Sequence, residues 1–221
     1  MKKFFGALAL TLVLSACAFD SGSQPTPEEI TPPAEDYVSG NLLNTSTAVE
    51  ADTVYTLDTS ASTLEWEASR LASKPHIGKV QIQSGSLLQA NGSFIGGEFV
   101  IDMTTISDND NSERLVSHIK NDDFFGVEQF PTSKLTLATI TEKEAGIYDV
   151  TGDLTIRDQT HPITFSAEMK NNGDQMNATA EFQIDRTKWG VVYDSGSLFQ
   201  QLGDRAIKDE ITYRVNLVFK K

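Results

Sequence analysis

The sequence predicts an all-β domain of antiparallel strands, either a barrel or a sandwich, with one short helix. Apolar and polar residues alternate along several segments, which is typical of strands that bury one face. Turn signals separate these segments, and the strongest is Asn171-Asn172-Gly173, a sequence that favours tight hairpins. The most convincing helical spacing in the chain lies between residues 110 and 121.

The alternation places the strands along the chain. A pair of glycines, Gly96-Gly97, interrupts the fourth segment and predicts a β-bulge or a sharp bend, as a closing barrel requires. Periodicity does not separate a barrel from a sandwich, but a barrel of about eight strands is the size that holds one small ligand. The predicted strands cover residues 54–58, 62–69, 78–88, 93–103, a segment that begins at 135, 147–156, 163–169, 176–184 and 211–219.

The helix and the aromatic turn after it predict where a cavity would end. Leu115 and Ile119 are four residues apart and form an apolar stripe at helical spacing. Asp110, with Glu113 three residues on, predicts a capping box at the helix start. Three phenylalanines follow, at positions Phe124, Phe125 and Phe130. We expect the helix and this turn to plug one end of a barrel and to line its cavity.

The composition argues against nucleic acid as a partner. The formal net charge is −13, whereas nucleic-acid binding requires basic patches that contact phosphate. The same charge opposes adsorption to anionic lipid. Cys17 is the one cysteine in the sequence, so an internal disulfide is excluded and the fold depends on its core.

Residues 1–16 have the features of a bacterial lipoprotein signal peptide. Lys2 and Lys3 precede an apolar run over residues 4–14, which is too short to span a membrane as a helix. The sequence Leu14-Ser15-Ala16-Cys17 resembles a lipobox. That resemblance implies cleavage before Cys17 and attachment of lipid to its sulfur. The alternative is an ordinary secretory signal followed by a coincidental cysteine.

Residues 17–52 are predicted to be a disordered tether, and residues 53–221 the folded domain. The tether contains four prolines among Ser, Thr, Gly and acidic residues, and such a segment buries too little apolar area to order itself. By resemblance, Ala18 after the cysteine favours the outer membrane over the inner one. We therefore expect a lipid-anchored protein of the bacterial cell envelope, on the periplasmic or the surface face.

The sequence contains no familiar catalytic motif, and its three histidines are far apart. His76, His118 and His161 lack the spacing of metal ligands, although the fold is able to bring distant ligands together. We expect each histidine to be a hydrogen-bonding residue at a barrel rim. The alternative is a histidine-based metal protein or enzyme.

A polar turn follows the predicted strand at residues 176–184. Asp185 and Arg186 are predicted to form a structural ion pair that fixes this turn, with Gly190 at its end, and contact with a ligand is the alternative. Residues 196–207 form a loop with several apolar side chains. This loop is either a lid over the barrel mouth or a packed loop.

Three short motifs occur in order along the domain, and together they identify a resemblance. They are Asp123-Phe124-Phe125 with Phe130-Pro131, Leu154-Thr155-Ile156-Arg157 with Thr160 and Pro162-Ile163, and Ile184-Asp185-Arg186 with Trp189-Gly190. Their order and spacing are similar to those of the YceI-like polyisoprenoid-binding family over residues 53–221. The sequence departs from the family pattern at Glu113-Arg114, Gly126 and Asp158.

The resemblance implies a lipocalin-like antiparallel β-barrel of about eight strands, with the helix across one end. It implies no enzyme activity and no cofactor, but an apolar cavity that binds a polyisoprenoid or another long-chain lipid. The sequence leaves open whether the domain forms a homodimer through an edge strand. The rival functions are a structural or adhesive surface lipoprotein with a filled barrel, and the metal protein or enzyme named above.

The candidate lining residues are the apolar and aromatic side chains that face the predicted interior, with His118 as a contact for a polar head group. Ordinary core packing is the alternative role for each of them, because alternation places core and cavity on the same face. The candidates are Trp66, Phe94, Phe99, Ile106, Leu115, His118, Ile119, Phe124, Phe125 and Phe130.

Overall fold

A computed structural model describes residues 49–221 and shows a closed antiparallel β-barrel with one short α-helix. The predicted signal peptide, Cys17 and most of the tether lie outside the described residues. Within residues 49–221, no helix has the length and apolar character needed to cross a membrane. The all-β fold class predicted from the alternation is confirmed.

The described chain contains nine strands, one α-helix and two 3₁₀ helices. The sequence predicted the nine strands, and the two longest extend past their predicted ends. The strands are β1 (Thr53–Leu57), β2 (Thr63–Ala68), β3 (His76–Ala90), β4 (Ser93–Asp108), β5 (Thr132–Glu144), β6 (Ile147–Ile156), β7 (Gln159–Asn171), β8 (Gln175–Asp185) and β9 (Glu210–Lys220). The helices are α1 (Glu113–Lys120), a first 3₁₀ helix (Arg186–Trp189) and a second 3₁₀ helix (Gln200–Arg205).

Nine strands build a barrel with eight positions. The strand order is β1-β3-β2-β9-β8-β7-β6-β5-β4, and pairing of β3 with β4 closes the sheet. β1 and β2 each pair with both β3 and β9. The two short strands therefore lie end to end and together fill one of the eight strand positions of the barrel. Closure leaves no open edge along the sheet, which distinguishes a barrel from a sandwich.

The predicted irregularity at the paired glycines is present. Leu88 pairs with Gly96 and Gln89 pairs with Phe94, so Ile95 is an extra residue in β4. Further register shifts occur along the pair of β3 and β4, with extra residues in β4 opposite Val80 and one extra residue in β3 between Ile82 and Ser84. Bulges bend and twist a strand, and these lie on the long pair β3 and β4, where the sheet closes.

The helix starts later than the sequence predicts, and its cap is a different residue. Ser112 is the N-cap, and its hydroxyl accepts a hydrogen bond from the Leu115 N–H at 3.4 Å. The predicted capping box of Asp110 with Glu113 is therefore wrong. Asp110 lies in the preceding turn, and Asp108 accepts a hydrogen bond from the Ser112 N–H through its side chain at 3.0 Å.

Candidate ligand-binding cavity

The barrel contains a cavity of about 160 Å³ whose wall is almost entirely apolar. Inward-facing side chains of β2 to β9 line it, and Ile119, Phe124 and Phe125 close it at the end where α1 lies. At the opposite end Phe94 packs between Tyr55 and Tyr148, with ring centroids 6.1 and 5.7 Å apart. The interior is thus bounded at both ends by aromatic side chains.

Small side chains on two neighbouring strands leave the space. Ala167 on β7 and Ala180 on β8 are direct cross-strand partners, and Ala178 lies on the same inward face. On the neighbouring β6, the backbone of β5 approaches Gly152 so closely that a Cβ atom would lie 2.6 Å from the Thr136 carbonyl oxygen. The larger inward residues lie above and below these positions, so the open volume is a consequence of the residue sizes.

An aromatic row crosses the wall on the side of the helix. The rings of Phe165 and Phe182 stack with centroids 4.5 Å apart, and Tyr213 follows on β9 with its centroid 5.7 Å from that of Phe182. Trp66 on β2 is the cross-strand partner of Tyr213. The row ends at Gly78 on β3, where a Cβ atom would lie 2.5 Å from Cζ2 of Trp66, so only glycine admits the indole there.

Two polar groups occur in this row. The indole Nε1 of Trp66 is buried and has no hydrogen-bond partner in the described part of the chain, although a buried indole N–H usually finds one. Tyr213 also lines the cavity, and burial raises the pKa of its hydroxyl above the ordinary value. That hydroxyl therefore stays protonated and able to donate at physiological pH.

A buried arginine forms part of the cavity wall near the helix. Arg186 is 2% exposed, and its guanidinium lies 5.9 Å from the centroid of the Phe124 ring. It donates hydrogen bonds to the backbone carbonyls of Val191, Lys208 and Ile207 at 2.7, 3.1 and 3.2 Å. Its donors are thus committed to holding the segment after the first 3₁₀ helix against the start of β9.

The carboxylate that pairs with Arg186 is Asp209. Nη2 of Arg186 lies 3.3 Å from Oδ1 of Asp209. Burial lowers the pKa of the guanidinium, and the negative charges of Asp209, Asp185 and Asp194 oppose that effect. An arginine remains charged in proteins even so, and the pair supplies the compensation that a buried charge needs.

The predicted ion pair between Asp185 and Arg186 is therefore wrong, although both residues fix the turn. Oδ1 of Asp185 accepts hydrogen bonds from the N–H and the hydroxyl of Thr187, at 2.9 and 2.6 Å, and caps the first 3₁₀ helix. Gly190 ends that helix with φ 71°, a left-handed conformation that favours glycine. Adjacent residues in this turn point apart, which local sequence does not reveal.

Six of the ten candidate lining residues lie on the cavity wall. They come from β2, β4, α1 and the turn after α1, so the fold brings together residues from widely separated parts of the chain. The six are Trp66, Phe99, Ile106, Ile119, Phe124 and Phe125.

The other four candidates lie off the wall, each for a physical reason. Phe94 belongs to the aromatic cluster at the far end of the barrel. Leu115 packs against the core from α1 without reaching the cavity. The ring of Phe130 lies against the Arg157 guanidinium, 5.5 Å from the centroid.

His118 is the fourth candidate that does not line the cavity. Its ring lies edge-on to Phe124 and Tyr193, with centroids 5.0 and 4.7 Å away, and its Nε2 lies 3.4 Å from Oδ2 of Asp123. It packs against Phe124 from outside the cavity, so the Phe124 ring separates His118 from a ligand head group inside the cavity.

The three histidines do not converge on one site. His76 lies near Asp108, His118 near Asp123, and His161 lies edge-on to Trp189 with centroids 5.3 Å apart. Among the residues described, one group of His, Asp or Glu side chains has metal-ligand proximity, and it contains His76 alone of the three.

The loop at residues 196–207 is packed at both ends and exposed in the middle. Ala206 is 2% exposed and Ile207 reaches the cavity wall, whereas Leu198 and Phe199 are 55% and 40% exposed. Isolated bridges join Ile207 to Arg70 and to Ser195. The loop thus covers part of the barrel end and is anchored there.

Sequence reasoning missed several residues of the wall. Phe165, Phe182 and Tyr213 line the cavity, and all three lie on the inward face of strands that alternate clearly. Their alternation was a sufficient signal that they face inward. The sequence predicts a structural role for Arg186, which its contacts support, yet the residue also forms part of the wall.

Comparison with known proteins gives one family and one fold. Residues 55–219 match the family model of the YceI-like domain. A UPF0312 protein of Shewanella denitrificans is 26% identical over 136 residues, which are 61% of this chain and 71% of that protein.

Two solved structures share the architecture. BcnA of Burkholderia cenocepacia superposes with a TM-score of 0.60 at 17% identity, covering 73% of this chain and 98% of BcnA. A polyisoprenoid-binding domain of Saccharophagus degradans, implicated in plant cell wall breakdown, gives a TM-score of 0.56 at 13% identity, covering 75% of this chain and 97% of that domain. At such identities the likeness shows the fold alone.

Proposed function

Because the chain belongs to the YceI-like domain family, we propose that its barrel binds a polyisoprenoid or another long-chain lipid without transforming it. The observation that carries this proposal is a cavity inside the barrel with an almost entirely apolar wall. The shared fold with the polyisoprenoid-binding domain of S. degradans supports it.

The driving force would come from burial of the chain. Removing a methylene-sized group from water contributes about 0.8 kcal/mol, so several isoprene units offset the entropy lost when the chain is ordered. The aromatic row and the aliphatic residues opposite it offer continuous apolar contact. The ligand class is therefore set by the wall, which favours a long unbranched or prenyl chain over a polar metabolite.

The cavity must widen to hold a long chain. A volume of about 160 Å³ is close to that of an engineered apolar cavity that binds one benzene ring, roughly 150 Å³, and below the roughly 300–1,000 Å³ of common ligand pockets. Met103 and Met169 line the wall, and unbranched methionine side chains change rotamer readily. We expect lipid entry to displace these side chains along the barrel axis.

The wall favours binding over catalysis. Its one charged residue in the described chain, Arg186, donates to three backbone carbonyls and to Asp209. Those contacts leave it a positioning role in the barrel end. A non-catalytic carrier, store or sensor of lipid fits this arrangement.

The proposed cellular setting rests on the N-terminal sequence. Cys17 would carry the lipid anchor, residues 17–52 would act as a spacer, and the domain would sit in the bacterial envelope with the outer membrane favoured. A Cys17→Ala variant should be absent from the membrane fraction of the cells that produce it. Mass spectrometry of the purified variant should show no attached acyl groups. Membrane association that survives this change would contradict the anchor.

The proposal is tested by extracting the protein and identifying its lipid. Residues 49–221, which contain the whole described barrel, would be purified from a bacterial host and extracted with organic solvent for mass spectrometry. We expect about one long-chain lipid per protein, with a prenyl chain or a fatty amide as the expected classes. A folded protein that contains no lipid and takes up no added isoprenoid would overturn the proposal and favour a structural role.

A further inference from the structure

A second site, separate from the cavity, lies where β3 begins and β4 ends. His76 is the first residue of β3, Asp108 is the last residue of β4, and Asp110 lies in the turn before α1. One ligand atom from each of these residues lies within 4.8 Å of the other two. The group therefore joins two strands and the turn that leads into the helix.

Two atoms of this group are buried without a partner. The side chain of Asp108 is 0% exposed, and its Oδ1 has no hydrogen-bond partner in residues 49–221. The same holds for Nδ1 of His76, although that ring is 45% exposed at its other edge. Orphaned buried polar atoms are rare and each calls for an explanation.

The distance between the two atoms points to a metal ion. Nδ1 of His76 and Oδ1 of Asp108 are 3.6 Å apart, which exceeds the 2.7–3.2 Å of N–H···O hydrogen bonds. Ligand bonds of about 2.0–2.2 Å to a tetrahedral zinc ion place neighbouring donor atoms about 3.4 Å apart. The observed separation is close to that value.

The surroundings hold Asp108 in position to act as a ligand. Its Oδ2 accepts the Ser112 N–H at 3.0 Å, and its carbonyl accepts the Asn111 N–H at 3.0 Å. The Asn109 N–H donates to the Ile77 carbonyl at 2.8 Å. These bonds fix the carboxylate from one side and leave Oδ1 facing His76, as supporting contacts do in metal sites.

We propose that His76, Asp108 and Asp110 bind a divalent transition-metal ion of the zinc class. One imidazole nitrogen and two carboxylate oxygens are the ligand types that such ions accept, and three protein ligands leave a fourth position for water. The imidazole disfavours Ca²⁺ and Mg²⁺, which take oxygen ligands. The ion would clamp β3, β4 and the start of α1 at the end of the barrel that the helix closes.

The test is zinc binding by the purified full chain, measured by competition with a chromophoric chelator. We expect one high-affinity Zn²⁺ per chain, bound more tightly than Ca²⁺, and a rise in Tm when Zn²⁺ is added. Asp108→Asn and His76→Gln should each weaken the affinity at least about tenfold. Loss of a residue that merely supports a metal ligand already costs about that much. Asp110 lies at an exposed turn position, so Asp110→Asn removes one proposed ligand and keeps the buried carboxylate of Asp108. This variant therefore tests the site without disturbing the fold.

Asp123→Asn is the matched control. Asp123 lies 3.4 Å from a histidine nitrogen of His118, but that pair has no third ligand within reach among the described residues. Its affinity for Zn²⁺ should equal that of the unchanged chain. The proposal is overturned if the chain binds no stoichiometric Zn²⁺, or if Asp110→Asn and His76→Gln leave the affinity unchanged.

Discussion

Trp66 on β2 and Tyr213 on β9 are direct cross-strand partners, and both side chains face the cavity. The protein's other tryptophan, Trp189, is 1% exposed, donates from Nε1 to the Leu154 carbonyl at 2.9 Å, and lies outside the cavity wall. The two indoles therefore occupy contrasting environments. One of them reports directly on what the cavity contains.

We expect Trp66 fluorescence to respond to ligand and Trp189 fluorescence to respond much less. In a Trp189→Phe variant the remaining indole lines the cavity, so an isoprenoid quinone should quench its emission on binding. In a Trp66→Phe variant the remaining indole is shielded by the wall. Equal quenching in both variants, or quenching confined to Trp66→Phe, would contradict the position assigned to the ligand.

A charge placed at Phe125 should abolish lipid retention. Phe125 is 8% exposed and closes the cavity at the end of α1, and an unpaired carboxylate in an apolar site costs several kcal/mol unless it takes up a proton. Phe125→Asp should therefore retain little or no co-purified lipid, as measured by extraction and mass spectrometry. Phe199→Asp is the control, since Phe199 is 40% exposed and lies off the wall.

Circular dichroism decides whether the Phe125 experiment is informative. The variant must show the β-sheet spectrum and a cooperative thermal transition before its lipid content is interpreted. A folded Phe125→Asp protein that still holds stoichiometric lipid would show that the lipid lies elsewhere.

Filling the cavity with carbon should remove lipid without introducing a charge. Ala180 lies on the wall where small residues leave open volume, so Ala180→Phe should reduce bound lipid severalfold and keep or raise Tm, as cavity-filling substitutions often do. The readouts are lipid per protein and thermal unfolding. Ala72→Phe, at an exposed loop position, introduces the same ring outside the cavity and should change neither the bound lipid nor Tm. Undiminished lipid in Ala180→Phe would count against a ligand in the space beside Ala180.

The strands and their inward faces were predictable because burial imposes a period of two on the sequence. Segments such as β8 and β9 carry that period over their whole length, and their pairing through eleven successive partners follows it. The helix cap was not predictable in the same way. Asp110 and Ser112 are both capping residues by type, and only the hydrogen bond that the Leu115 N–H donates to the Ser112 hydroxyl shows which one begins the helix.

The cavity was predictable in outline, whereas its limits and its polar contacts were not. Phe94 and Phe99 are both inward-facing phenylalanines of β4, yet Phe94 plugs the far end because Tyr55 and Tyr148 meet it there. Such contacts depend on closure of the barrel, which no local sequence pattern predicts. The pairing of Arg186 with Asp209 across 23 residues is missed for the same reason, since Asp185 is the nearer acid in sequence.

The pair of Arg186 and Asp209 predicts a pH-dependent stability. Burial alone would raise the pKa of the Asp209 carboxyl, but hydrogen bonds from the Ser197 and Ser195 hydroxyls and the charge of Arg186 outweigh burial and lower the pKa below its ordinary 3.8. A carboxyl whose pKa is lower in the folded than in the unfolded state stabilises the fold above the unfolded pKa. That contribution is lost as the pH falls through the folded pKa.

Asp209→Asn should therefore destabilise the protein at neutral pH and less so in acid. The side chain of Asp209 is 12% exposed, and leaving the buried Arg186 without its carboxylate should cost about 3–5 kcal/mol in the free energy of unfolding. Urea unfolding at pH 7, 5, 3 and about 2 measures this cost across the range in which the carboxyl takes up its proton. The gap between the unchanged protein and the variant should be constant from pH 7 to 5 and should narrow once the pH drops below 3.8. Asp153→Asn, on the exposed outer face of β6, is the control and should leave the unfolding free energy within about 0.5 kcal/mol of the unchanged protein at each pH. If the gap for Asp209→Asn stays unchanged well below pH 3, the carboxylate charge does not stabilise the fold.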